Sequence, residues 1–528
     1  MVANEDGCGL RRTDPDVASS SDPAAWLDRA LRAGRDRVFI ETAQGRCLTY
    51  GALEELSASL AATLVRYGVA PGDRVVVRVD KSVEAIALYV ACLRMGAVFV
   101  PLNTAYTAHE LSYFIEDAEP RLIVVRPQDW VATAALVPRN AGVRLETLGA
   151  VADGTLLAEL DRAADSPVPA SRPDPNRLAA LLYTSGTTGK PKGAMLTCGN
   201  LASNAVSLVE LWRFTKSDVL LHALPIFHIH GLFVATNTIL ACAAGMLFLP
   251  KFDADEVLRL LPRASVMMGV PTYYSRLLCD PRLSRETTRH VRLFVSGSAP
   301  LTAEHHREFH KRTGHSILER YGMTETSIIS SNLYERRVSG SVGTPLAGVE
   351  VRISDPRSGS VLQGPEAVGM IEVRGPSVFR GYWRNPQKTA AEFRADGFFV
   401  TGDVGRIDAH GYLHIVGRAK DLIISGGYNV YPVEVEQALN ALPGVLDSAV
   451  FGVPHPDFGE GVTALLVRAE GCIDLDEGTV LFRLKERLAN YKLPKRVLFA
   501  AELPRNTMGK VQKQVLRDAH ARLYERIA

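Results

Sequence analysis

Apolar and polar positions along this chain follow two periods in turn, and the switches between them mark its elements. A helical period opens at about residue 24. Val38-Phe39-Ile40 and Leu48-Thr49-Tyr50 read as short strands on either side of the turn pair Gln44-Gly45. Residues 53–67 place Leu56, Leu60, Leu64 and Tyr67 on one stripe and predict an amphipathic helix. Pro71-Gly72-Asp73 then turns the chain into an alternating strand at 75–79, and a second helix is predicted at 83–95. Strand and helix keep exchanging, with strands at 99–102, 122–125, 220–225, 246–250 and 266–269. Such repeated units imply parallel sheets covered on both faces, with ligands at the carboxyl ends of the strands.

The texture changes near Gly348 to short strands and turns, at 349–353, 369–373 and 398–400. It changes again after Arg418, where helices at 433–442 and 476–488 are predicted around strands at 448–453 and 462–467. The expected organisation is a tail at 1–23, a large N-terminal domain at 24–419 and a small C-terminal lid domain at 420–528. The fold class is α/β: βα-rich sheets plus a β-rich subdomain, followed by a small mobile α/β domain. Glu5, Asp6, Asp14, Asp16 and Asp22 crowd the tail without an apolar stretch, which predicts disorder and argues against a secretory or mitochondrial leader.

Composition narrows the class. A chain of 528 residues exceeds one ordinary core, and 47% apolar with 22% charged residues is the balance of a globular protein. The formal net charge of +2 supplies no field for nucleic acid or an acidic membrane. No run approaches the roughly eighteen apolar residues of a membrane span. Seven cysteines, scattered and without a Cys-x-x-Cys pair, read as reduced thiols in a reducing compartment, and the cytoplasm is expected.

The chemistry centres on residues 183–193, reading YTSGTTGKPKG after the apolar run 178–182. A strand there enters a loop with three glycines, four hydroxyls and two lysines. Gly186, Gly189 and Gly193 let backbone N–H groups approach an anion, while Thr184, Ser185, Thr187 and Thr188 add hydroxyl donors and Lys190 and Lys192 add charge. That set suits a polyphosphate. It is no Walker A loop, because only two residues separate Gly186 from Gly189 and Pro191 follows the lysine.

This stretch resembles the phosphate loop of the acyl-adenylate-forming superfamily, and further motifs agree in order along the chain. Pro225-Ile226-Phe227-His228-Ile229-His230-Gly231 lines the acyl site by that resemblance, with His228 at the acyl carboxylate and His230 along the pocket. Ser296-Gly297-Ser298-Ala299-Pro300 and residues 319–326, reading ERYGMTET, resemble the adenine site. The resemblance implies that Ser298, Ala299, Pro300, Tyr321, Gly322 and Met323 hold the nucleotide, that Thr324 meets phosphate or acyl group, and that Glu325 holds Mg²⁺. Thr401-Gly402-Asp403 matches a ribose-binding aspartate, with Arg418 as its cation. Lys420 corresponds to a hinge, and Gly426, Gly427 and Tyr428 to a coenzyme A channel. Residues 503–510, reading LPRNTMGK, end in Lys510, a movable charge for attack on the α-phosphate. The resemblance thus counts Lys510, Thr184, Glu325 and His228 as catalytic, with ATP and coenzyme A as co-substrates.

Arg320 bears on the acid. Synthetases with hydrocarbon pockets commonly have a small residue before the tyrosine; a guanidinium blocks an apolar chain and offers a fork to a second carboxylate. The resemblance puts Arg276 on the same side, with His230 and Ser298 as further contacts. It runs nearest to the malonyl-CoA synthetases of the superfamily, which implies malonate, ATP and coenzyme A giving malonyl-CoA, AMP and diphosphate. Methylmalonate or another short diacid is the alternative, and a non-catalytic nucleotide-binding relative the reading from a different class. Arg320 could instead pair with Glu304 or Glu308. Eighteen residues follow Lys510, so free coenzyme A rather than a fused carrier domain is the expected acceptor.

Overall fold

The computed structural model describes residues 26–137, 142–160, 174–184 and 191–525. The expected tail at 1–23 and the loop residues Ser185, Gly186, Thr187, Thr188, Gly189 and Lys190 lie outside them. Two large sheets carry the N-terminal part. One has six strands in the order Arg144–Thr147, Leu122–Val125, Arg74–Arg78, Val98–Pro101, Leu178–Thr184, Lys192–Thr197. Its first five run parallel and the last pair is an antiparallel hairpin. Leu122–Val125 and Val98–Pro101 are buried throughout, as strands covered on both faces must be.

The second sheet has nine strands. A parallel run joins Val38–Thr42, Gly245–Phe248, Val219–His222, Val266–Gly269, Leu293–Ser296 and Leu318–Met323, with antiparallel strands at both edges. His222, Gly269, Ser296 and Met323 therefore stand at carboxyl ends. The predicted strand at 220–225 stops at His222, after which the chain turns toward a π-helical segment, His230–Thr236. The strand expected at 48–50 is Cys47–Thr49, because the Thr49 side chain accepts from the Ala52 N–H and so starts the helix Tyr50–Arg66 at residue 50. The helix Val83–Met95 is found as predicted, capped by Ser82 and closed by Gly96 at φ 84°.

Beyond residue 348 an antiparallel sheet pairs Glu350–Ser354, Gly369–Arg374, Phe399–Ile407 and Leu413–Arg418 in sequence order. The last part of the chain forms its own sheet, built on the long hairpin Val445–His455 with Gly459–Arg468. Alternation along Val445–His455 sends Val450 into one apolar cluster with Val435, Leu439 and Val480, and Phe451 and Val453 into another with Leu503 and Leu516. This sheet is thus covered on both faces without help from the larger sheets. The predicted helix at 476–488 is shorter, Glu477–Leu484. Among the described residues no helix is long and apolar enough to cross a membrane.

Candidate active site

The nucleotide-binding motifs converge across the carboxyl ends of the strands. Thr184 and Lys192 are paired residues closing the hairpin from which the glycine-rich loop springs. Tyr321, on the edge-proximal strand Leu318–Met323, donates from its hydroxyl to Asp403 Oδ2 at 2.6 Å, and Arg418 Nε lies 3.0 Å from Asp403 Oδ1. Asp403 and Arg418 are direct partners on neighbouring antiparallel strands, so sheet register alone brings carboxylate and guanidinium together. The Asp403 N–H donates to Thr401 Oγ1. The predicted ribose pair is thus assembled beside the predicted adenine ring.

Glu325 is buried, 6% exposed, and loss of solvent raises its pKa above the usual carboxylate range. Tyr382 donates to its Oε1 at 3.1 Å and also approaches Glu392 Oε2 at 2.6 Å, while Thr184 Oγ1 lies 3.5 Å from Glu325 Oε1. The Lys192 ammonium stands 5.3 Å from the Tyr382 ring centre. A desolvated carboxylate with no cation paired to it among the described residues fits a hard cation that takes its other ligands from phosphate and water. No group of three or more His, Cys, Asp or Glu side chains among the described residues could hold a metal by itself. Sequence reasoning missed Tyr382 and Glu392. Their only local signal was Gly381, at φ 131°, ahead of two aromatic residues.

The acid side is built around Arg320. It alternates with Tyr321 on its strand and so faces away from the ribose pair. It is 6% exposed, and its Nε and Nη2 have no hydrogen-bond partner among the described residues. Burial pushes its pKa down to about 9. Neither expected alternative partner reaches it: Glu304 is exposed and Glu308 pairs with Lys311. A Cβ on Gly297 would fall 2.3 Å from Arg320 Cζ, so only glycine there lets the guanidinium lie against the turn.

Its other neighbours are polar and uncharged. The pKa of His228 is lowered to about 4 by burial and then by Arg320, and that of His230 is lowered well below its ordinary value for the same reasons. Both rings are neutral near pH 7. His228 Nδ1 accepts the His230 N–H at 3.1 Å; His230 Nδ1 lies 3.3 Å from Ser298 Oγ, and its Nε2 is buried without a partner among the described residues. Ser298 sits at φ 72°, a conformation that costs a non-glycine residue about 1 kcal/mol or more and that clusters at ligand sites. The result is a buried cation flanked by neutral donors, with no carboxylate paired to it among the described residues.

Arg276 departs from expectation. It stands exposed at the end of the helix Pro271–Leu278, near Tyr273 and without an ion pair among the described residues, and is not buried alongside Arg320. Helical spacing puts it one turn beyond Thr272, the residue that meets the C-terminal motif. There Gly509, at φ 73°, approaches so closely that an added Cβ would lie 2.8 Å from Thr272 Oγ1. That contact delivers Lys510 to the cleft. Burial, then the nearby Arg418, lowers the Lys510 pKa to about 8, against the opposing pull of Asp403 and Asp421.

Two families of known sequence match the chain: AMP-binding enzyme over residues 27–383, and AMP-binding enzyme C-terminal domain over 434–510. The chain belongs to the AMP-binding enzymes. Like this AMP-binding enzyme in sequence are the mitochondrial malonate–CoA ligase of Mus musculus, 38% identical over 97% of this chain and 93% of that one, and the indoleacetate–CoA ligase of Aromatoleum aromaticum, 36% identical over 94% and 98%. In three dimensions it is similar to ATP-bound MatB from Rhodopseudomonas palustris, with a TM-score of 0.92 and 53% identity over 95% of this chain and all of that one. The AMP-binding enzyme thus has the adenylate-forming α/β fold expected. Lys420 lies in the short helical turn Ala419–Asp421 directly after the strand carrying Arg418. Gly426 and Gly427, at φ 59° and 81°, form an exposed hairpin whose Tyr428 ring packs on Tyr491 at 4.8 Å. That hairpin is not gathered into the nucleotide site.

Proposed function

We propose that this enzyme joins malonate to coenzyme A through malonyl-AMP, releasing AMP and diphosphate. Similarity does not choose the acid, since ligases of an aryl acid and of a diacid are alike at 36% and 38% identity. Arg320 carries the choice. A buried guanidinium with two unpartnered nitrogens favours a ligand carboxylate, and an uncharged acyl tail would leave it desolvated and unpaired, at about 3–5 kcal/mol. One carboxylate of malonate lies on Arg320 with Ser298 and His230 as neutral donors; Arg276 joins only by swinging in from its exposed position. The other carboxylate faces His228 and the nucleotide.

In the first half-reaction a carboxylate oxygen bonds to the α-phosphorus as the bond to the diphosphate oxygen breaks. Asp403 and Tyr321 orient the nucleoside, Thr184 and Lys192 the phosphates, and the Lys510 ammonium offsets charge developing on the phosphoryl oxygens. Mg²⁺, held through Glu325, would neutralise phosphate charge. In the second, the coenzyme A sulfur bonds to the acyl carbon and AMP leaves. We place the domain division at Lys420, about which the C-terminal part turns between the two reactions, and the reaction in the cytoplasm. A purely nucleotide-binding role has no use for Lys510 beside Asp403.

The test is coenzyme A-dependent AMP release with malonate, methylmalonate, succinate, acetate and indoleacetate, on wild type and Arg320→Gly. Malonate turnover that falls about 100-fold or more in the variant supports the reading. Turnover of acetate or indoleacetate with malonate inert overturns it.

A further inference from the structure

Outside the motifs, one partly buried basic group is tied to the acid pocket through a chain of hydrogen bonds. Lys81 follows the strand Arg74–Arg78 of the six-stranded sheet, yet its Nζ reaches the nine-stranded sheet at His222, the last residue of Val219–His222. It lies 2.8 Å from both Nδ1 and the carbonyl oxygen of His222, and 4.2 Å from the centre of the Phe248 ring. No carboxylate pairs with it among the described residues. His222 is 1% exposed, and its other nitrogen, Nε2, lies 2.9 Å from the carbonyl oxygen of Gly231. The Thr236 hydroxyl donates to that same oxygen at 2.9 Å.

These contacts fix the imidazole. A carbonyl oxygen only accepts, so Nε2 must carry the hydrogen that faces Gly231. A second proton on Nδ1 would then point at the lysine, so Nδ1 is bare and accepts from Nζ. Gly231 follows His230 directly in the first turn of the π-helical segment, a type of irregularity common at functional sites. Its position is tightly held: a Cβ there would fall 2.1 Å from the Pro225 carbonyl oxygen. The turn holding His228 and His230 is therefore anchored through one histidine ring whose tautomer is set from the opposite sheet.

We propose that Lys81 is a positioning residue: by donating to His222 Nδ1 it locks the Nε2–H tautomer that holds the Gly231 carbonyl, and so sets His228 and His230 against the acid. Its link to the acid rests on the pocket assignment above; the tautomer lock does not. Lys81→Met keeps an apolar stem over Phe248 and removes the donor, whereas Lys81→Arg retains one.

The experiment combines kinetics with long-range ¹H–¹⁵N spectra of the histidine-labelled enzyme, the His222 signal being identified by its loss in His222→Gln. In the wild type the ring is expected as the Nε2–H form with Nδ1 hydrogen-bonded. Lys81→Met should move the Nδ1 resonance and raise the KM for the acid about tenfold while the KM for ATP stays within about twofold. Lys81→Met/His222→Gln should be no worse than His222→Gln alone, since both break one chain. Lys81→Arg should stay near wild type in both readouts, and serves as the folded reference if Lys81→Met fails to fold. An unchanged His222 resonance, an acid KM unaffected apart from a lower Tm, or additive losses in the double variant would each overturn the proposal. Kinetics use whichever acid the wild type turns over, so failure with malonate would count against the malonate assignment alone.

Discussion

Lys510 lies where burial and the Arg418 guanidinium both oppose its charge, so its ammonium gives up a proton near pH 8 rather than at the usual lysine value. The protonated form is the one that can offset phosphoryl charge. Its population is full below that pKa and falls as pH rises through it, so kcat/KM for adenylation should be level near pH 7 and decline about tenfold per unit well above pH 8. Lys510→Arg should be slower overall, because a planar fork replaces a compact charge, yet level through pH 8, its fall deferred to about pH 9 where Arg320 loses its charge. ATP–diphosphate exchange from pH 6.5 to 10 measures both; a falling limb that persists near pH 8 in Lys510→Arg assigns the titration elsewhere. Arg320 shows the same conflict between burial and charge, here left unrelieved by any protein carboxylate. Arg320→Met should therefore raise the ligand-free Tm, by about 1–3 kcal/mol of stability, while losing malonate turnover. A lower Tm would show that Arg320 is a structural brace.

At the scale of elements, the Gly509 turn and the helix Pro271–Leu278 form one joint. The turn needs φ 73° and a Cα without a side chain against Thr272. Gly509→Ala meets both obstacles, the first worth about 1 kcal/mol. Adenylation should slow at least tenfold, and Thr272→Ala added to Gly509→Ala should recover part of the rate by relieving the steric share. No recovery would mean that the positive φ alone requires the glycine. How far such joints could be read beforehand follows from their spacing. The repeated exchange of strand and helix declared the parallel sheets, because each crossover needs a helix to return the chain to the same edge, and Leu122–Val125 is buried throughout as such a strand must be. The pairing of Asp403 with Arg418 came from the family resemblance, and sheet register then explained it; the bond from the Tyr321 hydroxyl to Asp403 joins two sheets and was not foreseen. Arg320 was found by its place in a motif, but its freedom from Glu304 and Glu308 depended on where the helix Ala303–Thr313 directs its acids. Lys81, just past a strand of one sheet, and His222, ending a strand of the other, lie 141 residues apart, and no periodicity connects them. Arg276 shows the opposite failure: motif position suggested the pocket, and helix phase left it exposed.

Across the whole molecule, the C-terminal unit carries two functional features in different places. Lys510 meets the nucleotide site, whereas the Gly426–Gly427 hairpin stands exposed, with Tyr428 and Ile424 open to solvent. Asp421 is tied to Arg517 of the helix Lys513–Ala519 at 3.2 Å and so moves with that unit, while Lys420 forms no ion pair among the described residues. In the proposed mechanism the pivot is Lys420, and turning about it would withdraw Lys510 as the hairpin swings in. One polypeptide then serves two reactions that never need both faces at once. This division predicts that Lys510→Ala loses malonyl-AMP formation by about 100-fold or more, yet converts supplied malonyl-AMP and coenzyme A to malonyl-CoA at close to the wild-type rate. Single-turnover assays of each half-reaction decide it. If both fall together, Lys510 acts in a single conformation shared by the two steps, and rotation about Lys420 is not what separates them.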